Sequence, residues 1–218
     1  MGREIVMLTL MSLLLFLLVL TNLTLLGSSR LAFCIRTVAL QGVVLGLIPL
    51  VGLQPLSLQH GLLSLTAIVL KGGVFPWLLL RSLQVARVKR EVEPFIGFNV
   101  SLSIGFFALI SSVVFASKLP FGDNKDSLII ALALFTMITG LLLLISRRKA
   151  LSMVLGYLVL ENGIYGLGAV VADHIPMVVE FGVLLDVWVA VFGMGIAIYQ
   201  INREFDHTDV DRLTELRG

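Results

Sequence analysis

Residues Leu151 to Val171 read LSMVLGYLVLENGIYGLGAVV, an apolar run of membrane-spanning length with Glu161 and Asn162 at its midpoint. An ionised carboxylate at the centre of a membrane helix costs roughly 2.5–3.5 kcal/mol, so it requires a polar neighbour or water. Tyr157 and Tyr165 lie one helical turn before and one turn after Glu161, which places all three on one helix face. This pattern predicts a proton relay centred on Glu161, with static bonding between two helices as the alternative.

The composition is that of an integral membrane protein. The chain has 218 residues, of which 58% are hydrophobic and 14% are charged, and its mean hydropathy is +1.03. The net charge of +2 comes from basic residues in short loops, so no nucleic-acid partner is predicted. The single cysteine, Cys34, and three scattered histidines exclude an internal disulfide and offer no metal-ligand spacing, so no metal or redox cofactor is predicted in this chain.

A membrane-spanning helix needs about 20 apolar residues, and about seven runs meet this requirement. The predicted spans are Ile5–Leu26, Ala32–Gly52, Leu62–Leu83, Phe95–Ser117, Ser127–Ile145, Ala150–Val171 and Met177–Ile201. Most arginines and lysines fall on one side, in the loops after the first, third, fifth and seventh runs. The apolar runs therefore predict an all-α membrane protein. The positive-inside rule places its N-terminus outside and its C-terminus in the cytoplasm.

The spans predict three parts: residues 1–117 with four membrane helices, residues 118–203 with three, and a cytoplasmic tail over residues 204–218. Spans one to three and five to seven share a plan, because the middle helix of each triplet carries a polar pair, Gln41-Gly42 or Glu161-Asn162. The third helix of each triplet carries an ionisable group, Lys71 or Asp186. This plan suggests a 3+1+3 parallel repeat, and coincidence is the alternative.

Lys71 lies at membrane depth and precedes Gly72-Gly73 and Pro76, so the third span is predicted to be kinked or broken just after the lysine. Asp186 lies on a small-residue face of the last span and is predicted to point inward, whereas Glu180 lies near the outer interface, where a structural role is favoured. Lys71 is predicted to serve as the cation beside either carboxylate, with snorkelling to the interface or a static ion pair as the alternatives. The predicted proton or ion pathway comprises Glu161, Asp186, Lys71, Tyr157 and Tyr165, with Glu180 and Asn162 as secondary candidates.

Two further stretches carry no candidate site residue. The fifth span, Ser127–Ile145, is nearly featureless and is predicted to face lipid or a partner subunit. Asn22-Leu23-Thr24 matches a glycosylation triplet, but it falls inside the first span and is interpreted as a chance match.

Several motifs lie in the last third of the chain: Gly156-Tyr157, Glu161-Asn162-Gly163, Pro176, Glu180, Gly182, Asp186 and the tail residues Asp209-Val210, Leu213-Thr214, Leu216 and Arg217-Gly218. With these motifs the chain resembles the hydrogenase-4 component E family, and the resemblance is expected to span the whole chain. The region from about Ser127 to Gly218 also resembles the K subunit of respiratory complex I and the C subunit of Mrp-type antiporters. The K-type glutamates would fall on Leu158 and near Ala190, so Glu161 and Asp186 each lie about one turn from the matching position.

The resemblance implies a membrane subunit of a group 4 energy-converting hydrogenase or formate hydrogenlyase-like complex in the prokaryotic plasma (inner) membrane. Antiporter-like and other membrane subunits and hydrogenase and iron–sulfur subunits would be its partners, with the NiFe centre and iron–sulfur clusters held by those partners. This chain would catalyse nothing alone and would contribute to a proton or sodium translocation path coupled to cytoplasmic redox chemistry. The alternatives are a stand-alone secondary transporter and a cofactor-free scaffold in the same complex.

Overall fold

A computed structural model describes residues 2–52, 58–85, 96–119, 124–147 and 150–171, together with Gly195. The regular structure of these residues is entirely helical. The elements in chain order are α1 (Gly2–Gly27), α2 (Leu31–Gly52), α3 (Leu58–Ala67), a π-helix (Ile68–Val74), α4 (Phe75–Val85), α5 (Phe98–Ala116), α6 (Asn124–Ser146) and α7 (Ala150–Val171).

Six helical stretches of the described residues are long and apolar enough to cross a membrane, and they identify a membrane protein. Five are single helices, and the sixth, Ser64–Arg81, runs through α3, the π-helix and α4. The first six predicted spans are therefore confirmed as apolar helices. The predicted seventh span, Met177–Ile201, lies outside the described residues except for Gly195, and the 3+1+3 repeat and the three-part division stay predictions.

Helix α2 is the central helix of the described bundle. It packs against α1 on one side, against α7 on another, and against the rod formed by α3, the π-helix and α4. Helix α1 also packs against α5 and α6. The Gln41-Gly42 pair of α2 therefore lies between the helices that carry the other polar residues.

Helices α6 and α7 form a close antiparallel pair because glycines bring their backbones together. A Cβ atom added at Gly156 would lie 2.8 Å from the backbone nitrogen of Leu144, and one at Gly163 would lie 2.6 Å from that of Met137. Real side chains do not fit at such distances, so both positions require glycine for the approach of the two helices. This pairing fixes the depth of Glu161 relative to α6.

The prediction that the fifth span faces lipid or a partner stays a prediction for its exposed residues, Leu128, Leu141 and Ile145, but it missed the buried side of the helix. Helix α6 buries Ile130, Phe135 and Leu143 almost completely, and it packs against α1, α5 and α7. A uniformly apolar helix is compatible with either lipid or a protein core, because membrane interiors and protein cores are similarly apolar. Only the observed packing shows which residues of α6 contact other helices.

The loops between α1 and α2 and between α6 and α7 meet at one end of the bundle. Arg147 donates a hydrogen bond from Nη2 to the carbonyl oxygen of Ser28 at 3.1 Å, and its guanidinium lies 4.9 Å from the centre of the Phe98 ring. Arg30, Arg147 and the start of α5 thus share one end of the molecule. This arrangement agrees with the same-side placement of these loops that the charge distribution predicts, while the side of the membrane stays a prediction.

Candidate functional site

The third membrane span contains an irregular turn around Lys71. Residues Ile68–Val74 are π-helical, and the backbone N–H of Phe75 bonds the carbonyl oxygen of Leu70, five residues earlier. Pro76 follows directly and has no backbone N–H to donate. The change from α-helical to π-helical hydrogen bonds accommodates this missing donor. The span is therefore not interrupted after the lysine. Its irregularity includes Lys71 and starts three residues before it.

Lys71 and Glu161 form a buried ion pair near the middle of their spans. Lys71 Nζ donates to Glu161 Oε1, and the two side chains are 4% and 2% exposed. The second carboxylate oxygen, Oε2, is buried and has no hydrogen-bond partner within the described part of the chain. The ring of Tyr165 lies 5.3 Å from Lys71 Nζ, a distance at which an aromatic face attracts a cation. The two opposite charges therefore compensate each other inside an apolar bundle, and Glu161 Oε2 makes no hydrogen bond to the described residues.

Helix α2 contacts the backbone of Lys71 directly. A Cβ atom added at Gly42 would lie 2.7 Å from Lys71 Cβ and 2.8 Å from its carbonyl carbon. At Gly46, an added Cβ would lie 2.5 Å from Ile68 Cγ1. Because these two positions have no side chain, α2 and the π-helix approach closely enough to hold Lys71 against α7.

A chain of side-chain hydrogen bonds starts one residue after Glu161 and crosses four helices. Asn162 Nδ2 donates to Gln41 Oε1 at 3.1 Å, and Gln41 Nε2 donates to Asn22 Oδ1 at 3.0 Å. Asn22 Nδ2 then donates to Thr136 Oγ1 at 2.8 Å. We call these four residues the amide chain. Each of them is at most 2% exposed, so its polar groups depend on one another rather than on water.

The structure brings together some of the predicted site residues. Lys71, Glu161 and Tyr165 are in contact, and Asn162 begins the amide chain. Tyr157 is half-buried and packs against a separate apolar cluster. Among the described residues, no hydrogen bond joins the hydroxyl of either tyrosine to Glu161, so Tyr165 contacts the site through its ring.

Asp186 and Glu180 lie outside the described residues, and their predicted roles stay predictions. A pairing between Lys71 and Asp186 therefore has no geometry to compare with the observed pair. In the described part of the chain, no three His, Cys, Asp or Glu side chains are grouped as metal ligands would be.

Sequence reasoning missed Asn22 and Thr136. A polar amide inside the first span was an available signal, but the glycosylation triplet supplied a competing explanation. Thr136 gave no signal, because threonine can satisfy its hydroxyl on its own helix, and Thr136 does so by donating to the carbonyl oxygen of Leu132 at 2.7 Å.

The chain is similar to known bacterial proteins. The uncharacterized protein Rv0085 of Mycobacterium tuberculosis is 30% identical over 188 residues, which cover 84% of each chain. Hydrogenase-4 component E of Escherichia coli is 36% identical over 111 residues, or 50% of each chain, and the protein of the same name from Shigella flexneri matches equally. No family model and no solved structure matches the chain. The resemblance to the K subunit of complex I and to Mrp-type antiporters stays a prediction.

Proposed function

This chain belongs to the family that includes the uncharacterized protein Rv0085 of Mycobacterium tuberculosis, and we propose that it is a membrane subunit of a multisubunit hydrogenase complex. The similarity to hydrogenase-4 component E covers half of that protein, so the assembly and its partners are part of the proposal. Antiporter-like membrane subunits and redox subunits on the cytoplasmic side of the inner membrane would be its neighbours. Hydrogen chemistry would take place in those redox subunits.

Within such a complex, the chain would contribute to a translocation path for protons. The observation that carries this proposal is the buried Lys71–Glu161 pair. A lysine and a carboxylate inside a membrane helix bundle are expensive to bury, and they are found chiefly where charge or substrate moves. If only helix association were needed, neutral polar or small residues would supply it at lower cost.

The pair has the chemical features of a proton-transfer site. Glu161 Oε2 has no hydrogen-bond partner in the described residues and is the atom that would accept an arriving proton. Protonation there would neutralise the carboxylate and weaken its attraction to the Lys71 ammonium, while the Tyr165 ring would stay in contact with the ammonium. Loss of that proton would restore the ion pair, so the group could alternate between two charge states.

The test compares hydrogen turnover with ion translocation in Glu161→Gln. In the intact complex, we expect hydrogen turnover to persist while protons translocated per hydrogen fall by about 100-fold, the lower range for removing a positioned proton-transfer group. The matched control is Asp126→Asn, which makes the same chemical change in the first turn of α6, and it should leave translocation unchanged.

Two outcomes would contradict the proposal. Unchanged translocation in Glu161→Gln would leave only a scaffolding role. Recovery of the chain as an active transporter without hydrogenase subunits would instead favour a stand-alone secondary transporter.

A further inference from the structure

Glu161 and Asn162 are adjacent on α7 but bond to different helices. The Glu161 carboxylate accepts from Lys71 on the π-helix, whereas Asn162 donates to Gln41 on α2. Gln41 immediately precedes Gly42, whose missing side chain allows α2 to contact the backbone of Lys71. These contacts close a loop: α7 bonds α2, α2 contacts the π-helix, and the π-helix bonds α7.

This loop restricts the rotation of α7 about its own axis. Successive residues of an α-helix differ in direction by about 100°, so the direction in which Asn162 points determines the direction in which Glu161 points. As long as Asn162 is bonded to Gln41, the carboxylate is directed at the π-helix. Gly42 fixes the separation of α2 from that helix, so one bond and one close contact together determine whether the ion pair can form.

Two members of the amide chain make further polar contacts. Gln41 Nε2 also lies 3.5 Å from Thr21 Oγ1, and Asn22 Nδ2 also donates to the carbonyl oxygen of Leu18 at 3.0 Å. Every bond along the chain runs in one direction, from α7 through α2 and α1 to Thr136 on α6. A shift of any one helix would leave a buried amide without its partner, which costs more than the bond itself contributes.

We propose that the amide chain, Asn162, Gln41, Asn22 and Thr136, is a set of positioning residues that holds Glu161 against Lys71. Its effect on transport rests on the proposed function, but its effect on the ion pair can be measured without transport. If the amide chain only held the helices together, it would stabilise the bundle without determining whether Glu161 pairs with Lys71. The two roles therefore predict different results.

The experiment exchanges the side-chain lengths of Asn162 and Gln41, the first two members of the amide chain. Gln41→Asn shortens one partner by one methylene, Asn162→Gln lengthens the other, and the double variant restores the summed reach. In the intact complex, the infrared difference between wild type and Glu161→Gln identifies the carboxylate band of Glu161. We expect this band to decrease in each single variant. The double variant should regain part of it, because the exchange restores the reach between residues 41 and 162 but shortens residue 41 away from Asn22. Protons translocated per hydrogen should fall roughly 3- to 10-fold in the single variants, as for one lost hydrogen bond, and should recover with the band.

A second pair of variants keeps the inference testable if Gln41→Asn does not assemble. Thr136 and Thr139 are both fully buried on α6 and both donate to a carbonyl four residues earlier, but only Thr136 accepts from Asn22. Thr136→Val should weaken the Glu161 carboxylate band, and Thr139→Val should not. An unchanged band in Gln41→Asn and Thr136→Val, with only the yield of complex reduced, would overturn the inference.

The proposed function can fail separately. If Glu161→Gln does not alter translocation while the exchange still changes and partly restores the carboxylate band, the positioning role stands and the proton path does not. If Asn162→Gln, which leaves the bond from Gln41 to Asn22 in place, keeps the full carboxylate band, the amide chain does not position Glu161 and the inference is wrong.

Discussion

Removing the lysine of the buried ion pair tests the geometry of the site most directly. Lys71→Met replaces the ammonium with an apolar side chain and leaves the Glu161 carboxylate without its cation. Because Lys71 and Glu161 are 4% and 2% exposed, solvent cannot replace the lost partner. Breaking one side of a buried ion pair costs about 3–5 kcal/mol, so we expect the free energy of unfolding to fall by that amount.

The double variant Lys71→Met/Glu161→Gln supplies the control. Replacing both partners of a buried ion pair is often close to neutral, so its free energy of unfolding should lie within about 1 kcal/mol of wild type. Unfolding in mixed micelles, followed by circular dichroism, measures all members of the cycle, and we expect a coupling energy of at least about 2 kcal/mol. A loss below about 1 kcal/mol for Lys71→Met alone is typical of a solvent-exposed pair and would refute the reasoning.

Two further predictions concern the surroundings of the pair. Gly42→Ala places a methyl group 2.7 Å from Lys71 Cβ and should lower the free energy of unfolding by about 1–3 kcal/mol. A methyl group at Gly73 would meet no atom of another described segment within 4 Å, so Gly73→Ala should change this free energy by less than about 1 kcal/mol in the same micelle assay. Equal losses at the two glycines would contradict the close approach of α2. Tyr165→Phe keeps the ring beside Lys71 and should retain translocation, whereas Tyr165→Leu should lose about 0.5–2 kcal/mol of cation–π stabilisation and reduce translocation in the intact complex. Equal transport defects in the two variants would assign the role to the hydroxyl instead of the ring.

The positions of the six described spans followed from the sequence because crossing a hydrocarbon layer requires a fixed length of apolar helix. The sequence also indicated an irregularity near Lys71, since Gly72-Gly73 and Pro76 weaken a helix locally, but it placed the irregularity after the lysine instead of around it. The form of this irregularity was not predictable, because the same residues are compatible with a π-helical turn and with a break in the helix. The neighbours of α6 were equally hidden, since an apolar surface does not indicate whether lipid or protein covers it.

The sequence by itself determined that Lys71 and Glu161 are exceptional, because each places an ionisable group inside an apolar run where burial is costly. Only the tertiary structure decided that they pair with each other, since spacing along the chain carries no information on contacts between residues 90 positions apart. It also gave Asn22 and Thr136 their roles. Hydrogen bonds between helices depend on the register and rotation of both partners, and here close glycine contacts and the amide chain set both.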